Sequence, residues 1–196
     1  MSIELIIATA IILGLIFYLI SIYNKLVSLK NRVDNGWAQI DVQLQRRYDL
    51  IPNLVETAKG YMKHEKETLK MVIDARNSAN DAAKAASGNP SDQNAIKDLQ
   101  ASEQKLQGAM MSFQALAEGY PDLKANTNML ALQEELATTE NKVGFSRQAF
   151  NDAVMQYNTG IEIFPNSLIA NQFKFTQATE WQVEDQEAKK NVKVTF

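Results

Sequence analysis

Cysteine is absent from this chain of 196 residues, and histidine occurs once, as His64. Without cysteine there is no disulfide, no thiolate metal site and no cysteine nucleophile. A single histidine excludes metal sites that need several imidazoles. Basic residues are in no excess: 20 Lys and Arg stand against 23 Asp and Glu, a formal net charge of −3. Nothing in that balance draws the chain to nucleic acid. Neither a glycine-rich phosphate loop nor a Gly-x-Ser-x-Gly nucleophile turn is present. His64-Glu65 opens like a zinc-protease helix, but Thr68 stands where the second histidine is needed one turn on. Di-metal helical bundles need paired Glu-x-x-His motifs, which one histidine cannot supply. No metal, no cofactor and no enzymatic activity are expected.

Charge is missing altogether from Leu5 to Ile20. A helix from Ile3 to Tyr23 would run about 30 Å, the thickness of a bilayer core. Residues 1–23 therefore read as a single transmembrane anchor, with Ile3, Leu5, Ile12, Phe17, Tyr18, Ile22 and Tyr23 facing lipid or its interface. A cleaved signal peptide would begin with a basic stretch, whereas this chain begins Met1-Ser2-Ile3-Glu4. A buried core helix would not be apolar all round at this length. Lys25, Lys30 and Arg32 follow the anchor and only Glu4 precedes it. By the positive-inside rule the N-terminus lies outside the cell membrane and the domain lies in the cytoplasm.

From Lys25 onward the apolar spacing is helical. Leu26, Leu29, Val33, Trp37, Ile40 and Leu44 form the first stripe, with no turn between it and the anchor. Asp49-Leu50-Ile51-Pro52-Asn53 interrupts it, since proline lacks a helix donor and restrains the residue before it. We expect the chain to reverse there, a second helix then running from Ile51 to about Ala86. The alternative is that Pro52 only kinks one rod. Breaks at residues 87–92, 119–122 and 164–165 delimit a third and a fourth helix. The expected fold is all-α: a transmembrane helix continuous with an up-and-down antiparallel four-helix bundle over residues 24–164, and an extended C-terminal tail over 165–196.

Several charges fall on the seams. Glu65, Arg76, Glu140 and Arg147 form the expected structural polar seam, with Glu103 beside it. Such pairs fix helix register at some loss of stability, and Arg147 is expected to pair with Glu65 or Glu140. Arg46-Arg47-Tyr48-Asp49 suits an anion site or a charged helix C-terminus, and the terminus is the expectation. The tail is too apolar to be free, and the strand-like alternation of Val192-Lys193-Val194-Thr195-Phe196 asks for backbone partners from another chain. Phe173, Phe175, Trp181, Val192, Val194 and Phe196 are accordingly expected at contacts between copies of the chain. The alternative is a tail folded back on its own bundle.

Residues spread along the chain resemble the LemA family. They include Tyr23 to Val27, Trp37 to Thr57, Gly60 to Glu65, Tyr120 to Ala125, Glu134 to Leu136, Glu140 to Lys142, Arg147-Gln148, Asn151 to Val154, Tyr157-Asn158 and Phe164-Pro165. Gly36 and Gly144 depart from the family pattern, and either could mark close approach of a neighbouring backbone. The resemblance implies an anchor, an exposed short N-terminus, a helical domain and no established enzymatic activity. It also implies a link to membrane shaping, through relatives tied to magnetosome biogenesis, and to membrane proteases. The expected function is a non-enzymatic, membrane-anchored scaffold that self-associates. Its partners are the lipid bilayer and further copies of itself, without nucleic acid. The alternative is an adaptor or regulator of another membrane protein, such as a protease.

Overall fold

The computed structural model of the protein describes residues 3–88, 90 and 92–181. Among the described residues all regular structure is helical: α1 (Ile3–Lys59), α2 (Lys66–Gly88), α3 (Gln93–Ala117), α4 (Pro121–Lys124), α5 (Thr127–Glu162) and α6 (Asn166–Gln172). The 57 residues of α1 make a rod about 85 Å long at 1.5 Å per residue. Its first part, residues 3–21, is exposed throughout and is long and apolar enough to cross a membrane. Burial starts at Ile22 and continues through Leu26, Val33, Trp37, Ile40, Leu44, Tyr48 and Ile51. That three-and-four spacing is one helix face turned to a core. A single helix thus meets two environments, and the change falls at Ile22.

The expected reversal at Pro52 does not occur. Helix α1 passes through Pro52 and ends at Lys59. In a regular helix the N–H of residue 52 would bond the carbonyl of residue 48, and proline has no N–H to give. Arg76 supplies the donor instead: its Nε bonds the Tyr48 carbonyl at 2.8 Å. The chain turns back over residues 60–65, where the N–H groups of Tyr61 and Met62 both donate to the Ala58 carbonyl, at 3.0 and 2.9 Å. Fully buried Met62 plugs that turn.

Helices α2 and α5 pack on α1, and α3 packs on α2. Contacts set their heights. Trp37 Nε1 donates to Ser87 at 3.2 Å, so α2 descends toward the anchor. A Cβ added to Gly36 would stand 3.2 Å from the Phe150 Cα, and one on Gly160 would meet Leu29, so α5 also descends. Gly36 thus marks a close backbone approach, whereas Gly144 has open space around it. Asp92 caps α3 by accepting from Asn94 N–H at 2.9 Å. Asn126 caps α5 by accepting from Met129 N–H at 3.0 Å.

The chain after Pro165 is not extended at first, since residues 166–172 form α6. The seven residues include Leu168, Ile169 and Ala170, and α6 packs on both α1 and α5. From Phe175 the described chain has no regular secondary structure, and Ala178 and Trp181 are buried.

Candidate functional site

Four consecutive residues of α1 tie it to three neighbours. Arg46 pairs with Glu135 of α5. Arg47 bridges Glu103 of α3 and Glu140 of α5. The Tyr48 hydroxyl donates to Glu103. Asp49 accepts from Gln45 at 2.9 Å and stands 3.7 Å from Arg76 of α2. Arg46–Asp49 therefore lies inside a helix, and the reading of it as a helix C-terminus is overturned. The reason is the same Arg76 bond that lets α1 run past Pro52. Arg47 and Glu103 are both nearly buried, with side chains 11 % and 13 % exposed. Burial pushes the Tyr48 hydroxyl up to about 12, against the nearby Arg47 charge, which pulls it down.

Above this node lies a groove. Helices α3 and α5 scarcely touch each other, and α1 floors the gap between them. The cavity holds about 490 Å³ and is lined by Leu54, Glu103, Met110, Leu136, Arg147 and Trp181, among others. Arg147 is half-buried. Burial lowers its pKa from the usual arginine value, Glu140 opposes the fall, and Arg47 adds to it.

A second arrangement holds the chain after α6. Asn158 donates to the Ala178 carbonyl and accepts from the Ala178 N–H, both at 2.9 Å. Asn151 does the same for Trp181, at 3.0 and 2.8 Å. Tyr157 adds a bond to the Thr176 carbonyl at 2.9 Å. Two helix side chains thus serve residues 178 and 181 as a neighbouring strand would. Trp181 then lies against Trp37, with ring centroids 5.9 Å apart.

A third feature is an apolar collar at the foot of the domain. Ile163, Phe164, Leu168 and Phe173 are 46 %, 79 %, 63 % and 57 % exposed. Phe173 packs on Tyr23 with ring centroids 4.8 Å apart, and α6, which carries Leu168, packs on α1 and α5. Tyr23 is the last residue assigned to the anchor from sequence.

The expected seam residues do not form one cluster. Glu140 joins the Arg47 node. Arg76 serves the Tyr48 carbonyl. Glu65 lies outside the helices and accepts from the Tyr120 hydroxyl at 3.1 Å. Arg147 faces the groove and feels Glu140 through space. His64 lies in the turn before α2, off any helix. Of the anchor residues, Ile3, Leu5, Ile12, Phe17 and Tyr18 are largely exposed, Tyr23 is at the margin, and Ile22 is buried in the core. Of the residues expected between copies, Trp181 is 3 % exposed and Phe175 packs against the core. Phe173 is exposed, and Val192, Val194 and Phe196 lie outside the described residues. Among the described residues no group of three or more His, Asp or Glu could hold a metal ion. The sequence reading missed Asn151 and Asn158 as clamps. Their signal is two amides seven residues apart on a face otherwise buried.

A family model described as LemA family matches residues 36–196. Among curated proteins the chain is similar to Protein LemA of Metamycoplasma hominis. They share 24 % identity over 157 residues, covering 79 % of this chain and 67 % of that protein.

Proposed function

The chain belongs to the LemA family, and from that premise we propose that it is a non-enzymatic structural protein, anchored in the bilayer by α1, which self-associates and shapes or orders the membrane. The observation that carries this is the apolar collar. Phe164, Leu168 and Phe173 are exposed, and Phe173 packs on Tyr23 where the anchor meets the core. Exposed apolar groups in that position are matched by the bilayer interface or by a neighbouring copy. In the first case they add a shallow wedge beside a full transmembrane span, in one leaflet only. In the second they bring collars together within the membrane plane, where tethering raises effective concentration.

The domain is read as an up-and-down bundle whose side between α3 and α5 is left open. Its orientation is argued from Lys25, Lys30 and Arg32, which favour the cytoplasmic side. Self-association is assigned to Phe173 and the terminal Val192, Val194 and Phe196. Trp181 and Phe175 are already used within the chain.

The test is imaging and sedimentation of the purified full-length chain in mild detergent, then in vesicles. Uniform particles of many copies are expected from the chain alone. Phe164→Trp should show blue-shifted emission quenched by brominated lipid. A monomer that requires a second membrane protein to assemble would favour the adaptor reading instead.

A further inference from the structure

The chain leaves α6 through a turn that suits glycine. The N–H groups of Lys174 and Phe175 donate back to the carbonyls of Asn171 and Ala170, at 3.3 and 2.9 Å. That pair of bonds closes a helix when the residue just past its end is left-handed. Lys174 is that residue, with φ 57°, and among the described residues no other non-glycine residue has a positive φ. Glycine takes this conformation without steric cost, and lysine does not. A cation near a helix C-terminus is favourable, but any position of the last turn would provide that without the left-handed backbone. Strain kept at this residue points to a use for its side chain.

The side chain has a setting. Lys174 lines a cavity of about 940 Å³ beside α1, together with Tyr23, Val27, Lys30, Asp34 and Phe173 among others. Among the described residues neither the Lys30 nor the Lys174 ammonium has an ion pair or a hydrogen bond. The carboxylates lie farther from the anchor. Asp34 is about 16.5 Å along α1 from Tyr23, and Asp41, farther still, accepts from Ser87 at 2.8 Å. The basic end of the cavity is thus the end toward the anchor.

That end meets the bilayer. The exposed apolar part of α1 stops where burial begins, at Ile22. Tyr23 packs on Phe173 and Phe175, with ring centroids 4.8 and 5.9 Å apart, and aromatic rings of this kind settle at the membrane–water interface. The headgroup layer extends about 5–7 Å beyond the hydrocarbon core. The Lys30 Cα stands about 10.5 Å beyond Tyr23. Helix side chains lean toward the N-terminus, which on α1 is toward the bilayer, so the long Lys30 stem brings its ammonium into that layer. Lys174 follows directly on Phe173.

We propose that the foot of this cavity binds the phosphate of an anionic phospholipid between the ammonium groups of Lys30 and Lys174, with the glycerol and first acyl carbons against Tyr23 and Phe173. The site rests on the reading of α1 as a membrane anchor, and it makes the bilayer, rather than a neighbouring copy, what Phe173 meets. Asp34 repels an anion that enters deeper, which confines the phosphate to the end beside the two lysines.

The test uses the full-length chain in a neutral detergent, titrated with dioleoylphosphatidylglycerol or dioleoylphosphatidylcholine and read by native mass spectrometry. One lysine beside an anionic headgroup contributes about fivefold, so the pair should favour the anionic lipid by about 25-fold. Lys174→Gly keeps the left-handed turn and removes the charge. It should cut the preference about fivefold while the lipid-free protein melts no lower. Lys30→Gln, at an exposed position, should do the same. Lys25→Gln, exposed on α1 about 140° round the axis from Lys30, should leave the preference nearly unchanged. Equal binding of the two lipids, or an equal loss from Lys25→Gln, would overturn the proposal. So would competition by glycerol 3-phosphate at the concentration of the lipid, which would make this a site for a soluble phosphate. Flotation with neutral vesicles tests the anchor separately: lost flotation refutes the membrane reading itself, whereas lost lipid preference with intact flotation refutes the site alone.

Discussion

Arg76 and Pro52 should be energetically coupled although they sit on different helices. Pro52 leaves the Tyr48 carbonyl without its helical donor, and Arg76 Nε fills that place at 2.8 Å. Tyr48 is 1 % exposed, so water is a poor substitute. A hydrogen bond from a charged group contributes about 1.5–3 kcal/mol, and a stranded buried acceptor costs a similar amount. Arg76→Ala in the native background should therefore destabilise by about 2 kcal/mol, or about 4–8 °C in Tm for a chain of this size. In a Pro52→Ala background the backbone N–H restored at that position takes the carbonyl. Arg76→Ala then loses chiefly its contact with Asp49, which is 61 % exposed at 3.7 Å and worth little. The coupling in a double-mutant cycle should be at least ~1 kcal/mol. The assay is thermal unfolding of the four full-length proteins in one detergent, followed by helical circular dichroism. An equal loss from Arg76→Ala in both backgrounds would refute the donor-replacement reasoning.

Three further outcomes are expected. Arg47→Ala leaves Glu103, which is 13 % exposed, without its counter-charge and with only the Tyr48 hydroxyl, and should cost about 3 kcal/mol in denaturant unfolding; a loss below ~1 kcal/mol would show that the node is solvated. Tyr48 has its folded pKa raised above the unfolded value, so the folded state holds its proton longer and stability falls as pH rises from 10 to about 12. Unfolding profiles should show that alkaline loss reduced in Tyr48→Phe, leaving the smaller contribution of Tyr157, which burial also raises. Gln93→Cys, exposed at the start of α3, should resist a membrane-impermeant thiol reagent in intact cells; prompt labelling would place the domain outside.

The all-α class was legible in periodicity and the apolar anchor in an unbroken run without charge, and both signals survive any tertiary arrangement. The reversal lies about ten residues beyond Pro52, because the proline is a local signal and its remedy is not. The donor that tolerates it comes from Arg76, and nothing in the spacing of one helix announces a side chain from another. The real turn at 60–65 carries weaker marks, Gly60 and the loss of apolar period through Lys63-His64-Glu65. Of the tail, the apolar character was legible and the means of covering it was not. The strand-like residues 192–196 lie outside the described residues, while residues 178 and 181 are held by Asn158 and Asn151, whose amide side chains stand in for a strand edge.

Arg46–Asp49 also says something about the place of α1 in the domain. Successive helical residues turn by about 100°, so four in a row look all the way round the axis. A helix buried on one side keeps such a run of polar groups mostly in water. Here the run reaches α2, α3 and α5, which makes α1 the post against which the others are set. Apolar packing alone tolerates sliding along a post, whereas a nearly buried arginine shared by Glu103 and Glu140 does not. The heights of α3 and α5 are therefore fixed relative to the anchor, and with them the height of the groove. From Tyr23 to Arg47 is about 36 Å of continuous helix, with Pro52 lying beyond it. Whatever occupies the groove is presented at that distance from the bilayer, by the same rod that enters it.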